Sequence, residues 1–217
     1  MIQQNLKERI FTSLVLLISI FLAFNYNVFL VYLLLIFGVF SFIEFSNLMK
    51  KITDSKFIFI LTIVLFLIYI FFLFSYTYFF FENLFSKIIF SIVLFSCIFS
   101  DIGGFIFGKI FKGPKLTKIS PKKTISGALG SFVMCSIFLI SSFYFLIKKF
   151  NLTILLIAII ISTSCQIGDL FFSYLKRKAN VKDTGNFLPG HGGVLDRLDG
   201  IFLGVPIGLI SILLLLS

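Results

Sequence analysis

Three aspartates towards the C-terminal end of the chain have a spacing that could serve a cation site. Asp196 and Asp199 are three residues apart, so in a helix both carboxylates lie on one face. Asp169 follows a long uncharged run, and clustered carboxylate oxygens suit Mg²⁺. Acids also favour helix N-termini, where they cap amides and offset the dipole. On the spacing of Asp196 and Asp199 alone the two interpretations are equally good, and Asp169 favours the metal site.

The stretch that holds two of these acids, residues 173–199, is polar and rich in glycine and charge. The only histidine, His191, lies in the sequence P-G-H-G-G at 189–193. This run cannot be helical, and its backbone N–H groups could approach a phosphate closely. It matches neither a Walker A loop nor a dinucleotide fingerprint, so alone it is weak evidence for phosphate binding. The cations of the stretch indicate anionic ligands: Lys176, Arg177, Lys178, Lys182 and Arg197.

A second basic segment, residues 109–127, contains S-P-K-K-T from Ser120 to Thr124. Lys122 and Lys123 stand there beside hydroxyl donors, a grouping that binds polyphosphates well. The same lysines could simply anchor the segment beside anionic lipid headgroups. Both interpretations stay open at this point.

Composition places these residues in a membrane protein. The 217 residues are 59% hydrophobic and only 13% charged, with a mean hydropathy of +1.12. A soluble domain of this length cannot bury so much apolar surface, so we predict a polytopic membrane protein. The net charge of +10 then indicates positive-inside topology and attraction to anionic lipid rather than nucleic acid binding. Three cysteines isolated in apolar runs argue against a disulfide or zinc site: Cys97, Cys135 and Cys165.

Uncharged runs separated by polar segments predict an all-α fold, a helix bundle with about seven transmembrane helices. The run 10–43 is too long for one span, and Asn25-Tyr26-Asn27 predicts a turn that divides it. A polar loop is predicted at 44–56. The predicted spans are 10–24, 28–43, 57–81, 88–107, 128–147, 150–172 and 200–217.

The distribution of charge predicts the orientation. If the N-terminus is cytoplasmic, all of the 19 Lys and Arg lie on the cytoplasmic side except Lys87, Lys148 and Lys149. The loops 109–127 and 173–199 then share the cytoplasmic face, so they can form one site there.

The polar stretch resembles the signature of the phosphatidate cytidylyltransferases, also called CDP-diglyceride synthetases. The pattern S-x-L-K-R-x4-K-D-x-G-x3-P-G-H-G-G-x2-D-R-x-D is met at every fixed position from Ser173 to Asp199. A second similar segment joins D-x-G-G-F at Asp101 to the S-P-K-K-T run. Family members usually carry an acid where this chain has Ser126. The resemblance covers about residues 96–205. It implies a division into N-terminal transmembrane helices, 1–95, and a catalytic transmembrane region, 96–217, with a catalytic site at the cytoplasmic face.

This resemblance implies the reaction CTP + phosphatidate → CDP-diacylglycerol + pyrophosphate, a step of phospholipid biosynthesis. It implies a cation centre on Asp169, Asp196 and Asp199, with Mg²⁺ and room for a second cation such as K⁺. Lys176 and Arg177 complete the expected catalytic residues. The expected substrate-binding residues are Ser120, Lys122, Lys123, Ser173, Lys182, Asp183, His191, Gly192, Gly193 and Arg197. We expect a multi-pass protein of the cell (inner) membrane with CTP and phosphatidate as substrates, no nucleic acid partner and, as one option, a homodimer.

Other functions compete with this expectation. A CTP-dependent polyprenol kinase would release CDP instead of pyrophosphate, and a CDP-alcohol phosphotransferase would need an Asp-Gly-x2-Ala-Arg pattern that is absent here. A transporter or channel is suggested by Asp101 and Asp169 within apolar sequence. Transport, however, does not require a long polar loop dense in glycine and charge. A purely structural membrane protein would explain the hydrophobicity but not the aspartates.

Overall fold

The computed structural model describes residues 2–117, 119–148, 151–187 and 192–216, and within these ranges it contains seven α-helices. The helices are α1 Ile2–Asn25, α2 Asn27–Ile52, α3 Lys56–Phe80, α4 Leu84–Phe111, α5 Ile125–Ile147, α6 Leu152–Lys178 and α7 Leu195–Leu216. The predicted all-α fold is therefore confirmed. Six helices, α2 to α7, are long and apolar enough to cross a membrane, whereas the apolar part of α1, Leu14–Asn25, is shorter. The chain is a multi-pass membrane protein.

The break between α1 and α2 lies at Tyr26, where the sequence predicted a turn. The backbone of Tyr26 is extended, with φ −126° and ψ 109°. The side-chain amide of Asn25 donates a hydrogen bond of 2.8 Å to the carbonyl of Phe21 and so satisfies an acceptor at the end of α1. The division of the long uncharged run into two helices is thus confirmed.

The polar loop predicted at 44–56 is wrong. α2 continues to Ile52, and only residues 53–55 separate it from α3. Lys50 and Lys51 lie in the last turn of α2, where their positive charge offsets the negative end of the helix dipole. A helix can thus extend beyond its apolar run, and Glu44 becomes a helical residue.

The chain divides into two compact units. The first comprises Met1–Lys87 and Leu175–Leu198, and the second comprises Ile88–Tyr174 and Asp199–Ser217. Residues of α6 and of α7 therefore occur in both units. The units are defined by packing, so the predicted functional division into 1–95 and 96–217 stays a prediction.

In the first unit, α2 packs against α1 and α3. Phe45 of α2 stacks on Phe66 of α3 with ring centroids 3.9 Å apart, and both rings are buried. Phe40 of α2 stacks on Phe187, which lies between α6 and α7, with ring centroids 3.4 Å apart. α2 thus contacts both an apolar helix and the polar connection that precedes α7.

In the second unit, small residues let helices approach closely. A Cβ atom at Gly104 of α4 would lie 2.7 Å from the hydroxyl of Ser131, and one at Gly127 of α5 would lie 2.8 Å from the carbonyl of Gly104. α4 also meets α6 through a buried 2.9 Å hydrogen bond between the hydroxyls of Ser100 and Ser162. In a membrane, such close packing and polar contacts replace the hydrophobic attraction that joins helices in water.

Candidate functional site

The polar segment predicted as a loop at 173–199 is partly helical. α6 extends to Lys178, so Ser173, Lys176 and Arg177 are helical, and α7 begins at Leu195. The loop bounds are therefore wrong at both ends, and the connection is limited to residues 179–194. Three basic residues in the last turn of α6 offset the negative end of its dipole, which favours this longer helix.

The carboxylate of Asp196 organises the first unit's part of this segment. Its Oδ1 accepts a 2.7 Å hydrogen bond from the Nζ of Lys176 at the end of α6. Its Oδ2 accepts from the backbone N–H groups of Thr184 and Gly193, at 2.8 and 3.1 Å. The ion pair is shielded, because the Lys176 and Asp196 side chains are only 12% and 7% exposed. The Asp196 carboxylate therefore holds the ammonium group of Lys176 and two backbone amides of the connection close together.

Glu44 is the residue that the sequence analysis missed. It lies in α2 and is only 5% exposed. Its Oε1 accepts a 3.0 Å hydrogen bond from the N–H of Val194, and its Oε2 accepts from the N–H of Leu195 at 2.9 Å and the hydroxyl of Thr184 at 2.7 Å. One signal could have found it: Glu44 ends the uncharged run 10–43, just as Asp169 follows one.

The other residues predicted in this segment are mostly at the surface. Arg177, Lys182, Asp183 and Arg197 are exposed, where charged groups can meet a dissolved anion. Gly193 is buried, and Gly192 has φ +85°, a conformation that favours glycine. The predicted residue His191, together with residues 188–190, lies outside the residues that the structure describes.

Asp169 anchors a separate set of contacts in the second unit. Its Oδ2 forms an ion pair with the Nζ of Lys123, and its Oδ1 accepts a 3.3 Å hydrogen bond from the hydroxyl of Ser173. Ser173 is buried, whereas the Lys123 and Asp169 side chains are 24% and 32% exposed. Lys123 of the basic segment thus meets two predicted site residues of α6, Asp169 and Ser173, in the second unit.

Asp199 lies near this set within the second unit. A Cβ atom at Gly168, next to Asp169, would lie 2.5 Å from the carbonyl oxygen of Asp199, so α6 and α7 are in close backbone contact there. The Asp199 carboxylate accepts a 2.9 Å hydrogen bond from the N–H of Gly200. A Cβ at Gly200 would in turn lie 3.7 Å from the Oδ1 of Asp101 in α4. Asp101 is therefore a neighbour of the predicted acids. The sequence analysis noted it as an acid within apolar sequence but did not include it in the predicted site.

The loop predicted at 109–127 is wrong at both ends. Residues 109–111 are the end of α4 and residues 125–127 the start of α5, so residues 112–124 connect the two helices. Thr124 caps α5 by accepting a 3.1 Å hydrogen bond from the N–H of Gly127, and an isolated antiparallel bridge joins it to Lys115. The Ser126 hydroxyl, at the position where an acid was expected, donates to the carbonyl of Lys112. Ser120 is half-buried, and Lys122 is exposed. Among the predicted residues of this segment, the structure brings Lys123 to an acid and leaves Lys122 at the surface.

The donors of the predicted cation centre are Asp169, Asp196 and Asp199. Within the described residues, no group of three or more His, Cys, Asp or Glu is arranged so that it could hold a metal ion. Asp196 belongs to the first unit, whereas Asp169 and Asp199 belong to the second. The donors are nevertheless of the chemical type that Mg²⁺ prefers. Ammonium groups of Lys176 and Lys123 stand beside two of these carboxylates, so both positions attract cations.

Comparison with known proteins decides the family. The model of the cytidylyltransferase family matches residues 2–215. The chain belongs to the cytidylyltransferase family. It is 44% identical over 124 residues to a phosphatidate cytidylyltransferase of Rickettsia felis, covering 51% of this chain and 53% of that protein. It is 45% identical over 109 residues to one of Helicobacter pylori, covering 49% and 40%. A Staphylococcus haemolyticus protein of the same name is 44% identical over 120 residues, covering 54% and 45%.

These alignments cover about half the length of the curated relatives that they match. Membership of the cytidylyltransferase family thus rests on the model that matches nearly the whole chain. The resemblance predicted from the signature is confirmed by this match.

Proposed function

We propose that this member of the cytidylyltransferase family catalyses CTP + phosphatidate → CDP-diacylglycerol + pyrophosphate. The observation that carries the proposal is the arrangement around Asp196, which holds Lys176 and two loop amides inside the signature segment. A fixed ammonium beside oriented N–H groups suits a reaction between two phosphate-bearing substrates. The relatives named phosphatidate cytidylyltransferase support the choice of substrates.

Charge repulsion is the first barrier to this reaction, because both substrates are anions. Lys176 and the exposed groups of Arg177, Lys182 and Arg197 would neutralise phosphate oxygens in the bound state. Lys122 and Lys123 would do the same from the segment between α4 and α5. Catalysis would then consist mainly of positioning and electrostatic stabilisation, as in other phosphoryl transfers.

In the transfer step, a phosphate oxygen of phosphatidate attacks the α-phosphorus of CTP. The bond between the α-phosphorus and the bridging oxygen of the β-phosphate breaks, and pyrophosphate leaves with that electron pair. No general base is needed, since a phosphate monoester is ionised near neutral pH. The cationic side chains stabilise the leaving pyrophosphate.

We propose Mg²⁺ as the cofactor, with Asp169, Asp196 and Asp199 as its protein ligands and a second cation, such as K⁺, beside it. When bound, the ion would supply positive charge that neutralises the substrate phosphates. Lys123 and Lys176 contact two of these carboxylates and would have to yield a carboxylate oxygen to the ion.

The proposed orientation places the protein in the cell (inner) membrane, with the N-terminus and the segments 109–127 and 173–199 on its cytoplasmic side. Its support is the charge asymmetry, which leaves only Lys87, Lys148 and Lys149 on the other side. CTP would then reach the site from the cytoplasm, and phosphatidate would enter from the inner leaflet with its acyl chains in lipid. A homodimer and the absence of a nucleic acid partner stay predictions.

The deciding experiment uses purified protein in detergent with CTP, phosphatidate and Mg²⁺. Equal amounts of pyrophosphate and CDP-diacylglycerol are expected. Release of CDP with a phosphorylated lipid would instead identify a CTP-dependent kinase. CTP left untouched by a folded sample supplied with lipid would refute the proposed activity.

A further inference from the structure

Glu44 is a buried carboxylate whose hydrogen-bond donors are the backbone N–H groups of Val194 and Leu195 and the hydroxyl of Thr184. These donors lie 140 or more residues away along the chain. Glutamate is almost never buried so deeply without compensating partners. Here the positive end of the α7 dipole adds to the three hydrogen bonds.

Two glycines within the connection leave no room for a side chain beside this carboxylate. A Cβ atom at Gly185 would lie 2.6 Å from Oε1 of Glu44, closer than real Cβ contacts allow. A Cβ at Gly193 would collide with Oε2 of Glu44 and with the Thr184 hydroxyl. Both positions belong to the signature pattern, and Glu44 supplies a physical reason for glycine at each.

Glu44 and Asp196 together hold the connection at two points, at Thr184 and where it enters α7. Thr184 gives its backbone N–H to Asp196 and its hydroxyl to Glu44. Gly193 donates to Asp196, and the next two amides donate to Glu44. Because the second oxygen of Asp196 binds Lys176, a movement of the connection would also disturb that cation.

We infer that Glu44 is a positioning residue for the reaction, acting from α2 by fixing the glycine-containing connection so that Asp196 and Lys176 keep their orientation towards the anionic substrates. This inference rests on the proposed function. Glu44 is buried and acts through Thr184 and the first amides of α7, so it needs no contact with substrate.

The first test is Glu44→Gln, which keeps the shape of the side chain. In either orientation of the amide, its NH₂ group faces the N–H of Val194 or of Leu195, so at least one backbone donor loses its acceptor. We expect kcat/KM of the folded protein to fall about tenfold, mostly in kcat. Amide exchange in peptides that contain Val194 and Leu195 should become faster. Glu82→Gln is the matched control, since Glu82 is exposed, and it should change neither quantity.

A second test uses coupling between Glu44 and Gly185. Glu44→Asp withdraws the carboxylate by about 1.5 Å, one carbon–carbon bond, and so opens space beside Gly185. Gly185→Ala should therefore lower kcat/KM about tenfold in the wild-type background and have little further effect beside Glu44→Asp. Independent, multiplicative effects of the two substitutions would overturn the inference.

The outcomes separate this inference from the proposed function. Wild-type activity in Glu44→Gln, or a loss confined to the amount of folded protein with normal kcat/KM in the folded fraction, overturns the positioning role alone. A wild-type protein that leaves CTP untouched refutes the proposed function and, with it, the role of Glu44 in catalysis. In that case the exchange measurement still decides whether Glu44 holds the connection.

Discussion

The ion pair between Lys176 and Asp196 offers the most direct test of how the first unit's site is built. Lys176→Met removes the ammonium group while keeping much of the side-chain volume. The Asp196 side chain is only 7% exposed, so its carboxylate would stay largely dry and keep only the amides of Thr184 and Gly193 as partners. Removing one partner of a buried pair costs about 3–5 kcal/mol. Because two amide donors remain, we expect a loss near the lower end, about 3 kcal/mol.

The assay is reversible unfolding in mixed micelles, followed for both single variants and the double variant. Asp196→Asn alone should cost about 2 kcal/mol, since the amide cannot satisfy both Lys176 and the two backbone donors. The double variant should cost about 2 kcal/mol less than the sum of the single variants, because the second change removes an already unpaired group. Lys182→Met, a change at an exposed lysine, is the control and should stay within about 0.5 kcal/mol of wild type. Additive single costs, with a coupling below about 0.5 kcal/mol, would refute the reasoning.

Three further predictions concern activity. Asp169→Asn should raise the Mg²⁺ concentration needed for half-maximal turnover, because a proposed ligand loses its charge; an unchanged Mg²⁺ titration would remove it from the site. Lys122→Ala should mainly raise the apparent KM for one anionic substrate, since Lys122 is exposed. If the KM values for both substrates equal those of the wild type, Lys122 contributes to membrane topology alone. Chelation with EDTA should abolish formation of CDP-diacylglycerol, and added Mg²⁺ should restore it. Full activity in the presence of EDTA would contradict the metal requirement.

Apolar runs made the helices predictable, but not their ends. A run such as 10–43 must be helical in a membrane, because unsatisfied backbone amides are too costly there. The turn at Asn25-Tyr26-Asn27 could be predicted from its polar residues. Outside the apolar zone, water can satisfy the backbone, so hydropathy no longer distinguishes a helix from a loop. That is why α2 extends to Ile52 and α6 to Lys178, beyond the predicted ends. Propensity and dipole effects decide those turns, and each contributes only a few tenths to about 1 kcal/mol.

The site could be predicted only as far as local pattern reaches. The spacing of Asp196 and Asp199 indicated either a cation site or a helix N-terminus, although both residues were assigned to the predicted loop 173–199. An acid after an apolar run indicated Asp169. Pattern alone could not join Lys123 to Asp169, because that contact depends on how α5 and α6 pack. The charge of Lys123 suggested polyphosphate or lipid, whereas the structure pairs it with a carboxylate of this same chain.

Glu44 illustrates how such a contact could have been anticipated from the helix that needs it. The residue before α7 is Val194, whose side chain offers no hydrogen-bond acceptor, whereas N-caps are commonly Ser, Thr, Asp or Asn. Asp196 satisfies the amides of Gly193 and Thr184, so the first amides of α7 still need an acceptor from elsewhere in the chain. An uncapped helix start beside glycines therefore predicts a distant acceptor, and an isolated acid at the end of an uncharged run is a natural candidate. In the structure Glu44 meets that need, and it does so from a helix that the sequence analysis had assigned no part in the site.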